Sequence, residues 1–175
     1  IPTSVYAVSK RDQEELCLSV GRSYGIPTVA LRYFNVYGTR QALSNPYTGV
    51  CAIFSARLKN RHAPFVFEDG GQTRDFIHVR DIVQANLLVM QDARATDEVF
   101  NVGSGEASSI AQIARMLAKL YGTSIEPQIT KKFRAGDIRH CVADVTKLRA
   151  LGFAPSIDFE DGLRELVAWG KQVEA

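Results

Sequence analysis

Residues 28–38 have the sequence TVALRYFNVYG, and this stretch decides the fold class. Its first residues are β-branched and apolar, which is typical of a buried strand, and Gly38 ends it. The stretch directly follows residues 4–24, whose apolar side chains recur at helical spacing until a Gly-Ile-Pro stop. A helix followed at once by an apolar strand is half of an α/β unit. We therefore expect an α/β fold, with parallel strands near residues 28–33 and 99–102.

Other elements follow from the same periodicities and from capping residues. Helices are predicted over residues 50–60 and 81–92, from Ser108 or Ser109 to Tyr121, from an Asp144 cap to Leu151, and after an Asp158 cap. Short strands are predicted within PFVFEDGG (64–71), RDFIHV (74–79), VFNVGSG (99–105) and EPQIT (126–130). The last is predicted as an edge strand, because Pro127 cannot donate to a ladder.

Composition excludes several classes of function. The chain has 175 residues, 46% of them hydrophobic and 23% charged, and its net charge is +2 without a basic run. We therefore expect no nucleic-acid partner and no membrane partner. Cys17, Cys51 and Cys141 are far apart and form no Cys-x-x-Cys pair, which favours a reduced, cytoplasmic protein. The histidines are equally scattered, so no metal site is expected.

The stretch PTSVYAVSK (2–10) contains a tyrosine and a lysine four residues apart. On a helix, Tyr6 and Lys10 share one face, one turn apart. A lysine ammonium favours the phenolate, so the phenol could take a proton from a substrate hydroxyl while hydride leaves the same carbon. The alternative is a half-buried tyrosine beside a solvated lysine on a surface helix, because the pattern is very short.

Five stretches change that balance: YAVSK (6–10), LRYFNVYGTRQ (31–41), TRDFIHVRD (73–81), FNVGSG (100–105) and RAGDIRHCVAD (134–144). In this order they resemble the second half of an extended short-chain dehydrogenase/reductase of the nucleotide-sugar epimerase and dehydratase family. The resemblance covers essentially the whole chain. It is greatest to 4-epimerases of the UDP-glucose and dTDP-L-rhamnose type, and QALSNPYTGV (41–50) looks most like the dTDP-L-rhamnose branch.

The resemblance implies a partial Rossmann-like parallel sheet, without its N-terminal half, and a small α/β substrate-binding lobe. Residues 1–38 would be a remnant of the NAD-binding domain. Residues 39–175 would form the sugar-nucleotide lobe, interleaved with returning Rossmann segments at about 74–103. The family's glycine-rich dinucleotide loop and its catalytic Ser or Thr are not found in this sequence. We therefore expect the chain by itself to be inactive.

The implied activity is that of an NAD-dependent nucleotide-sugar 4-epimerase, which oxidises C4 transiently to a 4-keto intermediate. Tyr6 would be the base, Lys10 would also hold the nicotinamide ribose, and Tyr33 would lie beside the nicotinamide. A 4,6-dehydratase or reductase of the same family remains an alternative, as does a non-catalytic module that binds sugar nucleotides. The retained Tyr6 and Lys10 disfavour the pure binder.

The expected partner is a UDP- or dTDP-sugar, and the family pairs the tyrosine–lysine helix into a homodimer, with Leu16 and Val20 supplying apolar contacts. By resemblance, substrate contacts fall on Asn35, Thr48, Gly49, Val50, Phe67, Arg74, Arg134 and Asp137. Arginine forks suit a diphosphate, so Arg74 and Arg134 would grip it in one cleft. Arg139 is a further basic candidate with a less defined role.

Several of these residues also have plain structural interpretations. Asn35 could be a turn residue that bonds its own backbone. Arg74 could form a surface ion pair with Asp75 or Asp81, and Arg134 could pair with Asp137.

Aromatic, glycine and histidine positions carry similar alternatives. Phe65 and Phe67 lie on one face of a strand and could both face the core. The GSG turn at 103–105 resembles a phosphate loop, but the family uses it as a structural turn. His78 is interpreted as a satisfied core histidine.

Overall fold

A computed structural model describes residues 4–42, 49–133 and 138–172. The helices are α1 (Val5–Tyr24), α2 (Val50–Lys59), α3 (Val79–Gln91), α4 (Ile110–Tyr121), α5 (Thr146–Arg149) and α6 (Phe159–Gln172), with a 3-10 turn at Ala93–Ala95. The strands are β1 (Ala30–Tyr33), β2 (Asn35–Tyr37), β3 (Phe65–Val66), β4 (Thr73–Arg74), β5 (Phe76–His78), β6 (Val99–Val102), β7 (Ser108–Ser109), β8 (Gln128–Ile129) and β9 (His140–Cys141).

The strands pair mostly in parallel. Strand β1 pairs with β6 from Ala30 opposite Val99 to Tyr33 opposite Val102, which confirms the predicted parallel pair. Strand β2 pairs in parallel with β5, and β3 with β8. Strand β4 lies between β7, to which it is antiparallel, and β9, to which it is parallel. The α/β class is therefore confirmed, with a parallel pair of the kind that Rossmann-like sheets contain.

Buried side chains form two clusters. One lies around β1 and β6 and includes Ile77, Phe100 and Leu148, with α3 and α5 contributing. The other lies among α2, α4 and α6, where Phe54, Leu117 and many neighbours are buried. Strand β5 contributes to both clusters, because Ile77 belongs to the first and Phe76 to the second.

Helix α1 begins and ends with residues that satisfy its free backbone groups. The hydroxyl of Ser4 accepts a hydrogen bond from the Ala7 amide, and Gly25 closes the helix with a left-handed φ of 64°. Within α1, a Cβ on Gly21 would lie 2.1 Å from the Thr28 Oγ1 atom, so only glycine lets the helix approach the segment before β1 this closely.

Two helices differ in extent from the predictions. Helix α3 begins at Val79 rather than Asp81, because the His78 ring Nδ1 accepts a hydrogen bond from the Arg80 amide and caps it. Helix α5 covers only Thr146–Arg149, although the Asp144 carboxylate does accept from the Thr146 amide. The predicted Asp158 cap is present, because its carboxylate accepts from the Glu160 amide.

Within the described ranges, no helix has the length and apolar character that crossing a bilayer requires. In the same ranges, no cluster of three or more His, Cys, Asp or Glu side chains could hold a metal ion.

Candidate functional site

Tyr6 and Lys10 lie on one face of α1, at its N-terminal end. The Lys10 ammonium is 5.7 Å from the centroid of the Tyr6 ring, and it donates a hydrogen bond to Gln13. The tyrosine is 71% exposed rather than half-buried, and Lys10 is exposed, as the alternative of a solvated lysine on a surface helix expects. The Tyr6 side chain is therefore accessible to a ligand.

Tyr33 ends β1, the strand that follows α1. Its hydroxyl donates a hydrogen bond to the Asn86 side chain on α3, at 2.9 Å. The ring is half exposed at the carboxyl end of the strand. Carboxyl ends of parallel strands are where open α/β sheets bind ligands.

The same end of the molecule carries both tyrosines. The Arg32 guanidinium on β1 binds both carboxylate oxygens of Glu14 on α1, at 2.7 and 2.6 Å, and so fixes the helix against the strand. Because α1 and β1 run in opposite directions, Tyr6 lies about 12 Å beyond Glu14 toward the carboxyl end of β1, at about 1.5 Å per helical residue. Tyr33 lies at that end of β1.

Asn35 and Arg74 are brought close by strand pairing. Asn35 lies opposite Phe76 in the β2–β5 pair, and its amide donates to the carbonyl of Asp75, next to Arg74, at 3.0 Å. The Val36 amide also donates to the Phe34 carbonyl at 2.9 Å, so the backbone at Asn35 combines the start of a strand with a local turn. A Cβ on Gly49 would lie 3.9 Å from the Val36 carbonyl, so the N-terminus of α2 adjoins the same strand.

Gly49 and Val50 lie at the N-terminal end of α2. Gly49 is the N-cap residue and has extended backbone, and Val50 is the first helical residue. Thr48, Arg134 and Asp137, the other predicted ligand contacts, lie outside the described residues.

The Arg74 guanidinium donates hydrogen bonds to two backbone carbonyl groups, those of Thr73 at 2.8 Å and Arg139 at 3.1 Å. These contacts orient the side chain along the β4–β9 pair. The alternative gave Arg74 a surface ion pair with Asp75 or Asp81. Both carboxylates are buried, so neither is a surface partner. They accept hydrogen bonds from other segments.

Asp75 is the organising carboxylate of this region. It accepts hydrogen bonds from the Ser104 amide and hydroxyl, both at 2.7 Å, from the Gly105 amide at 2.9 Å and from the Ala143 amide at 3.1 Å. The amides of the GSG turn are therefore engaged by a protein carboxylate, and the turn is structural, as predicted. A Cβ on Gly103 would lie 2.5 Å from the Asp75 Oδ2 atom, which explains the glycine there.

Phe65 and Phe67 are exposed, 44% and 43% respectively, so the alternative that they face the core is wrong. Val66 between them is fully buried, as strand alternation requires. The Arg57 guanidinium carbon lies 3.8 Å from the centroid of the Phe65 ring, and its Nε donates to the Ala63 carbonyl at 2.6 Å. Two accessible aromatic rings at this edge could stack against a planar ligand group.

Arg139 contacts the turn that follows Phe67. Its guanidinium binds the carboxylates of Glu68 at 2.6 Å and Asp69 at 2.7 Å. The hydrogen bond from Arg139, followed by one from the Gly71 amide, lowers the pKa of Asp69.

His78 is buried, as predicted, but only one of its ring nitrogens is satisfied. Nδ1 caps α3, whereas Nε2 has no hydrogen-bond partner in the described part of the chain and lies 3.8 Å from the Glu165 carboxylate. Burial lowers the pKa of the ring, and the Glu165 charge opposes this effect. The Tyr37 ring meets it edge-on at 5.3 Å.

Comparison with known proteins defines the family. The sequence pattern described as "NAD dependent epimerase/dehydratase family" matches residues 1–103, which is more than half of the chain. The chain belongs to this family.

Relatives extend the match to nearly the whole chain. A dTDP-L-rhamnose 4-epimerase of Burkholderia thailandensis is 38% identical over 96% of this chain, which spans 46% of that protein. The structure of a UDP-N-acetylglucosamine 4-epimerase from Methanobrevibacter ruminantium, in complex with UDP-N-acetylmuramic acid, has a TM-score of 0.89 at 37% identity. The match covers 97% of this chain and 54% of the Methanobrevibacter chain. The structure of a UDP-glucuronic acid 4-epimerase from Bacillus cereus, in complex with UDP-glucuronic acid and NAD, has a TM-score of 0.88 at 32% identity. The match covers 98% of this chain and 54% of the Bacillus cereus chain.

The chain thus spans about half the length of the relatives that it matches. The family depends on NAD. The resemblance assigns Tyr6, Lys10 and Tyr33 to the nicotinamide end of that cofactor, and the structure places them on α1 and at the carboxyl end of β1. The amides of the GSG turn bind Asp75 instead and offer no pyrophosphate cradle.

Sequence analysis missed two parts of this region. Asp75 was considered only as a surface partner, because its burial depends on hydrogen bonds from the distant amides of Ser104, Gly105 and Ala143. The link from Arg139 to Glu68 and Asp69 joins residues 70 or more positions apart, and no local pattern signals such a pair.

Proposed function

We propose that the chain supplies the sugar-nucleotide-binding part and the tyrosine–lysine pair of an NAD-dependent nucleotide-sugar 4-epimerase. The observation that carries the proposal is the β2–β5 pairing, which holds Asn35 next to Arg74 close to the N-terminus of α2. A cationic fork, an amide and a helix N-terminus are all suited to phosphate oxygens. The relatives with UDP-sugars in their structures support this assignment.

The ligand is proposed to extend from the α2 N-terminus toward the exposed ring of Phe67. Arg74 would bind the diphosphate, together with Arg134, and Asn35 would donate to it. Phe67 would contact the nucleobase. Gly49 and Val50, with Thr48 before them, would border the sugar and phosphate, and Asp137 would accept hydrogen bonds from ligand hydroxyls.

The proposed chemistry belongs to Tyr6 and Lys10. As the phenolate, Tyr6 takes the proton of the sugar 4-hydroxyl while hydride leaves C4, and the resulting phenol returns the proton when hydride is delivered to the other face of the ring. The Lys10 ammonium on the same helical face stabilises the phenolate. NAD, when bound, supplies the hydride acceptor and donor for C4, so the sugar passes through a 4-keto form.

A 4,6-dehydratase or a reductase is the second candidate within the family. Relatives include a dTDP-glucose 4,6-dehydratase and a UDP-N-acetyl-alpha-D-glucosaminuronate decarboxylase. A sugar-nucleotide-binding module without catalysis is the third. Epimer formation by a protein of the relatives' full length that carries this chain would separate the first candidate from the others.

Calorimetry of the 175-residue chain tests the binding part of the proposal. We expect weak binding of UDP-glucose or dTDP-glucose, no detectable binding of NAD, and no 4-epimer product. Arg74→Ala should weaken sugar-nucleotide binding by about 1.5–3 kcal/mol, because a charge-assisted bond is lost. Arg164→Ala, on the exposed face of α6, is the control. Equal affinity of the Arg74 variant and wild type would contradict the assignment, and tight NAD binding would contradict the account of the cofactor.

We also propose that a protein of the relatives' full length carrying this chain forms a homodimer through α1. Leu16 and Val20 are 66% and 43% exposed on that helix, which supplies the apolar contact that the resemblance implies. Sedimentation should give a dimer, and Leu16→Glu should shift it toward monomer. A monomeric wild type would refute the proposal.

A further inference from the structure

Arg139 contacts two separate parts of the proposed binding region. Its side chain binds Glu68 and Asp69, which directly follow Phe67. Its backbone carbonyl accepts hydrogen bonds from the Arg74 guanidinium at 3.1 Å and from the Thr73 amide at 3.0 Å. One residue therefore links the arginine assigned to the diphosphate with the turn that presents the ring assigned to the nucleobase.

The turn after Phe67 needs such a contact. Glu68 has a φ of 51°, the left-handed region that residues with a Cβ rarely adopt. The Glu68 amide donates to the Lys132 carbonyl, and the Gly71 amide donates to the Asp69 carboxylate at 2.8 Å. A backbone conformation of this kind persists where surrounding contacts hold it. The Arg139 guanidinium binds the side chains of both residues at the start of this turn.

The Phe67 carbonyl is held from the other side of the turn. It accepts from the buried Gln72 side chain at 3.0 Å and from the Gly70 amide at 3.2 Å. Phe67 is thus anchored through its carbonyl, while its ring is exposed. Movement of the Glu68–Asp69 segment would move the ring relative to Arg74.

We propose that Arg139 is a positioning residue that sets the distance between the Phe67 turn and Arg74, and that it does not bind phosphate itself. The inference rests on the proposed function, because it takes Phe67 as the nucleobase contact and Arg74 as the diphosphate contact. Both terminal nitrogens of the guanidinium are engaged by carboxylates, Nη1 by Glu68 and Nη2 by Asp69. These two negative charges outweigh the single positive charge, which disfavours an anion at this point.

The two possible roles of Arg139 predict opposite changes in nucleotide affinity when Glu68 and Asp69 are neutralised. If Arg139 bound phosphate, the double substitution Glu68→Gln with Asp69→Asn would release the guanidinium and remove two negative charges. Nucleotide binding would then tighten. If Arg139 holds the turn, the same double substitution removes its anchors, and binding of a ligand that needs both ends weakens.

Calorimetry of the 175-residue chain with UDP and with inorganic pyrophosphate makes the test. We expect Arg139→Gln and the double variant each to weaken UDP binding by about threefold, on the scale of a surface ion-pair network. Pyrophosphate, which has no nucleobase, should bind the Arg139→Gln variant as it binds wild type. The UDP affinity of Arg139→Lys should lie between those of wild type and Arg139→Gln, because an ammonium keeps the charge but cannot form the two-carboxylate fork. Arg94→Gln, which breaks an exposed ion pair with Asp92, is the matched control.

Three results would overturn the proposal: tighter UDP binding by the double variant, an equal loss of UDP and pyrophosphate affinity in Arg139→Gln, or unchanged UDP affinity in that variant. Amide hydrogen exchange provides a readout without ligand. Exchange at Glu68 and Gly71 should be faster in Arg139→Gln and unchanged in Arg94→Gln, and unaltered exchange would also overturn the positioning role. A wild-type chain that binds no UDP would instead overturn the proposed function, and with it the ligand-binding half of this inference.

Discussion

Replacing Asp75 with Asn should destabilise the fold far more than a change of one atom implies. The Asp75 side chain is fully buried and accepts hydrogen bonds at both oxygens. Oδ1 accepts from the Ser104 amide and hydroxyl, and Oδ2 accepts from the Gly105 and Ala143 amides. In Asp75→Asn, one oxygen becomes an NH2 group, which can accept no hydrogen bond.

The magnitude follows from the donors left behind. If the amide oxygen keeps the Oδ1 position, the NH2 group faces the Gly105 and Ala143 amides, and both lose their acceptor. Each buried donor without a partner costs about 1–3 kcal/mol. The asparagine avoids the desolvation of a buried charge, which offsets part of the loss. We therefore expect the free energy of unfolding to fall by about 3 kcal/mol.

Urea unfolding followed by circular dichroism measures this change. Asp144→Asn is the matched control, because Asp144 is exposed and its carboxylate accepts a hydrogen bond from the Thr146 amide at a helix start. Asn serves equally well at such a position, so its free energy of unfolding should change by less than about 0.5 kcal/mol. A loss below about 1 kcal/mol in Asp75→Asn, or one equal to that of the control, would refute the reasoning.

Three further predictions concern stability. Burial lowers the pKa of His78 in the folded chain, so the unfolded chain takes up this proton first as the pH falls below about 6.5. The free energy of unfolding should therefore drop between about pH 7 and pH 5, and His78→Gln should show a smaller drop in urea titrations at the two pH values. Ser109→Ala should cost about 1 kcal/mol in urea unfolding, because it breaks the capping box with Gln112, and Ser109→Asp should restore most of it. Gly21→Ala should lower the melting temperature, because its Cβ would collide with Thr28; an unchanged melting temperature would contradict the close approach of α1.

Sequence predicted best what local periodicity and capping determine. The bounds of α1, α2 and α4 agree closely with the predictions, because each helix has a residue at its start or end that satisfies the backbone locally. The parallel β1–β6 pair followed from an apolar strand directly after a helix and a second apolar strand before a glycine turn. These signals lie within a few residues of the elements that they define.

The rest depends on contacts between distant residues. The exposure of Phe65 and Phe67 is set by the side of β3 that the buried cluster of α2, α4 and α6 covers, and alternation alone cannot tell which side that is. The role of Asp75 likewise depends on the amides of Gly105 and Ala143, which are 30 and 68 residues away. A short acidic residue between an arginine and an apolar pair is compatible with the surface and with the interior, until the partners are known.

Strand β5 explains why the candidate ligand residues lie where they do. Its alternating side chains enter different cores, because Phe76 packs in the cluster among α2, α4 and α6, whereas Ile77 packs in the cluster around β1 and β6. A strand held from both faces has little freedom to shift. Asn35 is paired to the first residue of this strand, and Arg74 lies two residues before it. The two residues therefore keep their relative position only while both cores are intact, so substitutions at Phe76 or Ile77 should alter ligand affinity as well as stability.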